Sequence, residues 1–457
     1  RLAQSMTARA FKIFIGLALG LCLAGLPALA DSPLLVTVGE VTDTSAVVWA
    51  RGFEERPLSV EYSPATGGAA AVASVGLWRT DDFTGKVTLT GLSAATRYTY
   101  RVRQAGESVE GSFVTAPARD QARSVTFLWS GDLGGGRQCR HVKDGYPIFG
   151  PMAQRKPDFF LFVGDTIYAD VRCGGPDWVP GYDFVATTLD GFREKHRYNR
   201  ADPAVQDFFR TTSVYAIWDD HEVKNDFSGP SEPLMPLGRR AFIEYWPLQP
   251  PPDEPTRLYR KVRWGKLLEV FILDTRQYRS PNQDPDGPGK TMLGAAQRRW
   301  LIDNVSTSST TWKAVVSSVP LSVPTGRAVR DSWSNASILG LPEENATGFA
   351  VERDRILRTL RDRKVKNLFW IVADVHHAEL IRHAPWPDFA FHEFVAGPLS
   401  ASRGRPRPLD QGLNPRSLYG LGEIDNFGEV AIDAVGLTVR IVDVTGKVRF
   451  SHTIGPE

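Results

Sequence analysis

The sequence predicts an α/β (α+β) protein in two parts: a small all-β sandwich, then a larger domain in which strands alternate with helices. Three observations carry that reading. Between residues 33 and 117, short alternating or apolar runs are separated by Gly, Pro, Ser and Asp, a pattern of brief strands and turns. Beyond residue 124, strand-like apolar runs alternate with longer helix-compatible stretches, which is the signature of layered α/β architecture. The tail, "GEVAIDAVGLTVRIVDVTGKVRFSHTIG", returns to two or three antiparallel strands joined at Gly436 and at Thr445–Gly446. At 457 residues, 42% hydrophobic and 23% charged, the chain has room for two or three domains and a sizeable core.

The first 30 residues read as a secretory signal. Arg9 and Lys12 form its charged part, Ile13–Leu26 its apolar part, and "PALA" before Asp31 gives a small-x-small cleavage pattern. The apolar run is short for a membrane span. The formal net charge is +2; setting aside Arg1, Arg9 and Lys12 leaves 51 of the 54 basic residues against 52 acids, so about −1. That balance argues against general attraction to nucleic acid or to acidic membranes. Export, to a periplasmic or extracellular location, leaves Cys139 and Cys173, which in an oxidising compartment are expected to pair; the alternative is two free thiols.

Residues 31–117 form the predicted sandwich. Within "LTGLSAATRYTYRV", Leu92, Thr96 and Tyr98 stand where a fibronectin type III-like or immunoglobulin-like domain places its tyrosine corner. No histidine or charged cluster there suggests chemistry, so packing, spacing or weak binding is the expected task. Residues 118–124 are polar and read as a linker. In residues 125–457 the strand-like runs are "VTFLWSGD", "DFFLFVGDTIY", "VYAIWDDHE", "LLEVFILDTRQY", "WKAVVSSVPL" and "NLFWIVADVHH". Helix candidates between them are Tyr182–His196, Met235–Trp246, Ala295–Val305 and Glu352–Arg363.

Four of these strands end in similar polar clusters: Asp132; Asp165 with Tyr168; Asp219, Asp220, His221 and Glu222; and Asp374, His376 and His377. Ligand sites in open α/β sheets gather beyond the carboxyl ends of strands. Adjacent buried carboxylates repel one another, so a cation is expected among them. Oxygen and imidazole donors make a divalent or trivalent metal the natural one. Strand alternation predicts that Asp374 and His376 share a face while His377 points away. Asp132 and Asp165 each follow a glycine, which permits close approach.

The series "SGD…GDTIYAD…WDDHEVKND…LDTRQYR…ADVHH" resembles the alkaline phosphatase D (PhoD-like) branch of the calcineurin-like metallophosphatases, over nearly the whole mature chain. The resemblance implies an αββα sandwich with two or more metals. Asp165 would bridge two ions, Asp132, Tyr168 and His376 would complete the first site, and Asp220 and Asp374 would serve the second; Asn225 is a further candidate at the metal edge. Tyr168 as a phenolate implies Fe3+, and a hard partner such as Ca2+ suits the carboxylates; Zn2+, Mn2+ or Mg2+ are alternatives. Two departures stand out: Gly131-Asp132 where the iron-and-calcium prototype has a cysteine, and Ala373 where glycine is usual.

The implied function is hydrolysis of a phosphate mono- or diester, with metal-bound hydroxide as nucleophile and His221 as general acid. Asp219 or Glu222 would orient His221, and Arg276 would grip a phosphoryl oxygen; an ion pair beside Asp274 is the alternative for Arg276. A phospholipase D-like diesterase is a second reading, for which Trp178, Tyr182, Trp333 and Phe349 are candidate rim aromatics. A non-catalytic binding protein working through its sandwich, and a Ser-His-Asp esterase, are readings of other classes.

Overall fold

The computed structural model describes residues 34–326 and 328–457. The expected leader lies outside the described residues. Among the described residues, no helix is long and apolar enough to cross a membrane.

The amino-terminal runs form β1 (Leu35–Gly39), β2 (Ser45–Arg51), β3 (Leu58–Pro64), β4 (Ala71–Val75), β5 (Thr84–Thr90), β6 (Arg97–Gln104) and β7 (Glu107–Val114). They divide between two sheets. β4-β3-β6-β7 is a sheet of its own, whereas β1, β2 and β5 lie at one end of a nine-stranded sheet. Val36, Val48, Val60, Leu89, Tyr98, Val102 and Phe113 share one buried cluster between these two layers. The Tyr98 hydroxyl oxygen accepts a hydrogen bond from Ser93 N (2.9 Å), closing the turn before β6.

The remaining elements are β8 (Val125–Ser130), α1 (Phe149–Gln154), β9 (Phe159–Val163), α2 (Leu189–Arg200), α3 (Pro203–Thr211), β10 (Ser213–Ile217), α4 (Met235–Tyr245), β11 (Arg260–Trp264), β12 (Leu268–Ile272), α5 (Gly294–Thr307), β13 (Trp312–Val316), α6 (Ala350–Asp362), β14 (Leu368–Val372), β15 (Ala378–Trp386), β16 (Phe389–Val395), β17 (Pro415–Leu421), β18 (Asn426–Ile432), β19 (Leu437–Asp443) and β20 (Val448–Ile454). Two large sheets result, in the orders β20-β19-β18-β8-β9-β10-β1-β2-β5 and β11-β12-β13-β14-β16-β15-β17. Phe127, Trp129, Phe159 and Tyr215 of the first pack with Trp264, Trp312, Phe369 and Phe394 of the second in one buried cluster. Leu301, Val305, Ile356, Leu357 and Leu360 of α5 and α6 cover the other face of the second sheet. Phe208 and Phe209 of α3 pack with Phe149 of α1 against Phe160 and Phe162 on the first.

Four helices lie close to their expected places, although α2 begins at Leu189 rather than Tyr182. Helix α3, capped by the Asp202 side chain on Val205 N and started by Pro203, was not anticipated. Nor were β15, β16 and β17, whose mixed burial hides a clean alternation.

The amino-terminal layer is not a spaced module. β1 runs parallel to β10 and meets it at one register pair, Gly39 with Val214. Across the same boundary Trp49 Nε1 donates to Glu244 O (2.7 Å), the Tyr100 hydroxyl to Arg210 O (2.8 Å), and Arg200 to the Thr37 hydroxyl (2.6 Å). The expected linker is also tied down, since Lys266 N donates to Gln121 O (2.8 Å) and Arg123 to Ala95 O (3.0 Å).

Gly39 is glycine for lack of space. A Cβ there would stand 2.2 Å from Val214 O and 2.5 Å from Pro247 Cγ. Gly39→Val is expected to lower stability by about 1–3 kcal/mol, read as a lower urea midpoint at unchanged slope.

Candidate metal centre

β8, β9 and β10 are mutually parallel, as are β12, β13, β14 and β16. Their carboxyl ends deliver Asp132, Asp165, Asp219 and Asp220 from one sheet, and Arg276, Ser318, Asp374 and His376 from the other. The candidate residues are not aimed by strand alternation, as expected above. Asp132, Asp165, Asp374 and His376 lie just beyond their strands, with φ of 65°, 49°, 71° and 57°. Non-glycine residues seldom occupy this left-handed region, and four together at one site mark a place where the chain accepts strain to aim side chains. Ala373 is not among the positive-φ residues, so alanine is accommodated there.

Three groups of donors converge, each within 4.8 Å: Asp132, Asp165 and His376; Asp165, Asp220 and His221; and Asp220, Asp226 and Asp331. Asp165 belongs to the first two. Tyr168 joins the first group, its hydroxyl 3.0 Å from His376 Nε2. That imidazole is fixed from behind: its Nδ1 faces Ser402 O at 2.5 Å, which can only accept, so Nδ1 donates there and Nε2 is the nitrogen turned toward the site. His377 points away, as expected, into a buried pair with Glu379 (3.1 Å). Asp374 stands beside the groups with a buried, unpartnered Oδ2.

These residues fit a cation. Both oxygens of Asp132, Oδ1 of Asp220 and Oδ2 of Asp374 are buried and accept no hydrogen bond among the described residues. Burial, then the charges of Asp220, Asp219 and Asp132, pushes the Asp165 carboxyl far above the usual range. Burial and the charges of Asp219 and Asp220 do the same to Asp374. The Tyr168 hydroxyl is raised by burial and by Asp165 and Asp132. Each shift reports missing positive charge.

Arg276 requires a correction. Its side chain is 0% exposed and its fork is fully engaged: Nε on Asp219 (2.6 Å), both terminal nitrogens on Asp331 (2.9 and 2.7 Å). It has no face to offer a phosphoryl group, and its partners are Asp219 and Asp331 rather than Asp274, whose Oδ1 instead accepts from the Arg276 backbone (3.1 Å). Burial raises Asp220, but Arg276 and His221 outweigh it and hold that carboxylate below its usual value. Asn225 is exposed, and its backbone N–H bonds Asp170 (2.8 Å), the residue that faces His221.

His221 is oriented by neither Asp219 nor Glu222. Asp219 is taken by Arg276 and Ser318. Glu222 ties together the backbone nitrogens of Asp165, Thr166 and Asp219. The partner is Asp170, whose Oδ1 lies 2.7 Å from His221 Nδ1. Burial lowers the His221 pKa, but Asp220, Asp170 and Asp219 outweigh it and raise it to about 9. A cation beside Asp165 and Asp220 would pull it back. Asp170 stands inside the motif "GDTIYAD" and Asp226 ends the motif "WDDHEVKND", so a signal for each existed; Asp331 lies in a loop with no pattern around it.

A family model described as PhoD-like phosphatase matches residues 136–437, and one described as PhoD-like phosphatase, N-terminal domain, matches residues 30–117. The chain belongs to the PhoD-like phosphatase family. Alkaline phosphatase D of Bacillus subtilis (strain 168) is 26% identical over 319 residues, 63% of this chain and 52% of that protein. The chain thus spans about half the length of that curated relative. The structure of PhoD is 19% identical, with a TM-score of 0.75 over 94% of this chain and 90% of that one. Purple acid phosphatase PPD1 from yellow lupin (Lupinus luteus) seeds is 14% identical, with a TM-score of 0.65 over 93% and 74%. At these identities the two structures share the fold.

In this PhoD-like chain Cys139 and Cys173 are joined, with Cα atoms 6.3 Å apart, and the disulfide packs in one cluster with Tyr168, Tyr182 and Tyr198. Tyr168 is held closely. The Tyr182 hydroxyl accepts from its N–H (2.9 Å), and a Cβ on Gly135 would lie 2.2 Å from its ring.

Replacing both cysteines by alanine is expected to cost about 2–4 kcal/mol of stability, checked by urea unfolding. Arg276→Met is expected to cost about 3–5 kcal/mol, because Asp219 and Asp331 lose their buried counter-ion. A variant of full stability whose only defect is a raised KM would restore the phosphate-gripping role.

Proposed function

We propose that this chain is an exported, metal-dependent phosphoric ester hydrolase acting on phosphate mono- or diesters. The observation that carries the reading is Asp165, one buried carboxylate common to two donor groups, with His221 in the second of them. Asp132, Asp165, Tyr168 and His376 would hold one cation, and Asp165, Asp220 and Asp374 another. Bound metals would neutralise phosphoryl oxygens and acidify a water; phenolate chemistry at Tyr168 suits Fe3+, the carboxylate-rich group suits Ca2+, and Zn2+, Mn2+ or Mg2+ remain compatible. Asp170 anchors Nδ1 of His221 and leaves Nε2 for the leaving alkoxide, to which it would deliver a proton.

The Tyr98–Ser93 bond supports a fibronectin type III-like fold for the sandwich, residues 31–117, and the two facing sheets with outer helices support a calcineurin-like metallophosphatase domain over 125–457. The disulfide favours a secreted, oxidising location. No observation favours the phospholipase reading from aromatics: Tyr182, Trp333 and Phe349 are 0% exposed and Trp178 is half-buried. A purely binding role for the sandwich is disfavoured by its continuity with the sheet that carries Asp132 and Asp165.

His221→Ala is expected to lower kcat on a nitrophenyl phosphate ester by about 10²–10⁴ with metal content unchanged. Asp170→Asn should lower it by about tenfold or more through misorientation of the same ring. An unaltered rate in His221→Ala would remove the general-acid role. The ratio of turnover on the monoester to that on bis-nitrophenyl phosphate separates a phosphomonoesterase from a phosphodiesterase.

A further inference from the structure

The carboxyl end of α2 carries a buried charge that the metal centre does not use. Arg200 is 2% exposed. Its guanidinium lies against two indoles, with Cζ 4.4 Å from the Trp49 ring centre and 4.2 Å from that of Trp246. One terminal nitrogen, Nη1, donates to the Thr37 hydroxyl (2.6 Å). Nε and Nη2 are buried and donate to nothing among the described residues. Burial pulls the Arg200 pKa down to about 9, opposed by Tyr245 rather than by any neighbouring acid. The indole faces attract a cation but carry no net charge, and a buried ion without a counter-charge is costly.

A small cavity borders this side chain, lined by Arg200, His196, Trp246, Leu133, Thr166 and Ile167 among others, all of them buried. The side-chain polar atoms of this lining that lack a partner are all nitrogens: Arg200 Nε and Nη2, Trp246 Nε1 and His196 Nε2. The first three can only donate, and His196 Nε2 donates in one neutral tautomer. The remaining polar groups are engaged. The Thr166 hydroxyl donates to Glu222 (2.7 Å), and Asn199, also in the lining, accepts from the Tyr146 hydroxyl (2.6 Å) and donates to Leu133 O (3.1 Å) and Thr166 O (3.0 Å). A water accepts two hydrogen bonds and brings two hydrogens that need acceptors of their own. A monoatomic anion accepts from every donor and supplies the missing charge. The cavity volume of about 10 Å³ admits one particle of roughly water's size, which excludes phosphate, sulfate and carboxylates.

We propose that this cavity is a binding site for a single halide ion, chloride under ordinary conditions, held by the free nitrogens of Arg200 and Trp246. The inference goes beyond the hydrolase reading and does not rest on it. The position of the site gives it a consequence. Thr166 and Ile167 stand between Asp165 and Tyr168, and Leu133 follows Asp132. Asn199, next to Arg200 on α2, ties Leu133 and Thr166 together through its amide. Thr37 and Trp49, which hold the guanidinium from the other side, belong to β1 and β2. The ion would therefore bind where the amino-terminal layer, α2 and two of the metal-bearing turns meet, and would stabilise that junction in proportion to its occupancy.

The test is urea unfolding of the full chain in sodium chloride and in sodium gluconate at equal ionic strength, after exhaustive dialysis into gluconate. The unfolding constant of the parent is expected to fall at least about tenfold between gluconate and about 0.2 M chloride. Arg200→Met should lose that dependence. Trp246→Phe keeps an aromatic face and removes one donor; it should raise the half-saturating chloride concentration about tenfold or more, and it decides the matter if Arg200→Met does not fold. Crystals grown in bromide should show an anomalous peak beside Arg200 and Trp246. Equal unfolding in the two salts would overturn the proposal, with water as the occupant where no bromide peak appears and an adventitious ion only where one does. A halide dependence of full size in Arg200→Met, or one without a peak at this cavity, would overturn it as well, because the ion would then bind elsewhere.

Discussion

The structure depends on a deficit of positive charge. Asp132, Asp165, Asp219, Asp220 and Asp374 meet at the ends of two sheets, and one buried guanidinium, Arg276, is bonded among them. Two like charges 4 Å apart repel by about 4 kcal/mol even at an effective dielectric of 20. Such a group survives burial only by taking up protons or cations. The upward shifts at Asp165, Tyr168 and Asp374 are the protonated answer, and a metal centre is the other.

The scaffold is arranged to keep those oxygens from relaxing apart. Asn426, on a strand of the tail, grips the loop beside Asp132 by donating to Gly397 O (2.6 Å) and accepting from Gly397 N (3.1 Å). Gly397 leaves no room for a side chain, because a Cβ would stand 2.6 Å from Asp132 Oδ2. Glu222 gathers the turn after β9 and the turn after β10 through backbone donors of both. Behind them Arg276 joins Asp219 to Asp331 and thereby ties the carboxyl ends of the two sheets together. The charge cluster and the packing between the sheets therefore stand or fall together.

Much of this was legible in the sequence, for a physical reason. Strands that are buried on both faces read as unbroken apolar runs, and the polar residues that end them stand out. Asp132, Asp165, Tyr168, Asp220, Asp374 and His376 were found that way, and the structure brings them together. What alternation could not supply was aim, because the chain leaves β8, β9 and β14 through left-handed residues that break the period of two. Arg276 was misjudged because sequence shows that an arginine is near a carboxylate but not that its fork faces inward. Asp331 was invisible, since a loop residue owes its place to tertiary packing alone. The hairpin β15–β16 escaped notice because its outward residues include Ala and Pro, which carry little strand signal.

Tyr168 concentrates these constraints in one side chain. Its hydroxyl reaches His376 in the first donor group, and its ring lies against the His221 imidazole with centroids 4.2 Å apart. The disulfide, Tyr182 and Gly135 hold it from the other sides. The plane of the phenol bounds where the imidazole stands relative to the donors, while Asp170 fixes how the imidazole is turned. The histidine is thus held by two residues of one motif, Tyr168 and Asp170, and neither contact runs through Asp219 or Glu222, its neighbours in sequence. A site built this way can alter the loops around it without moving the His221 imidazole, because that ring is held by the same short segment that supplies Asp165.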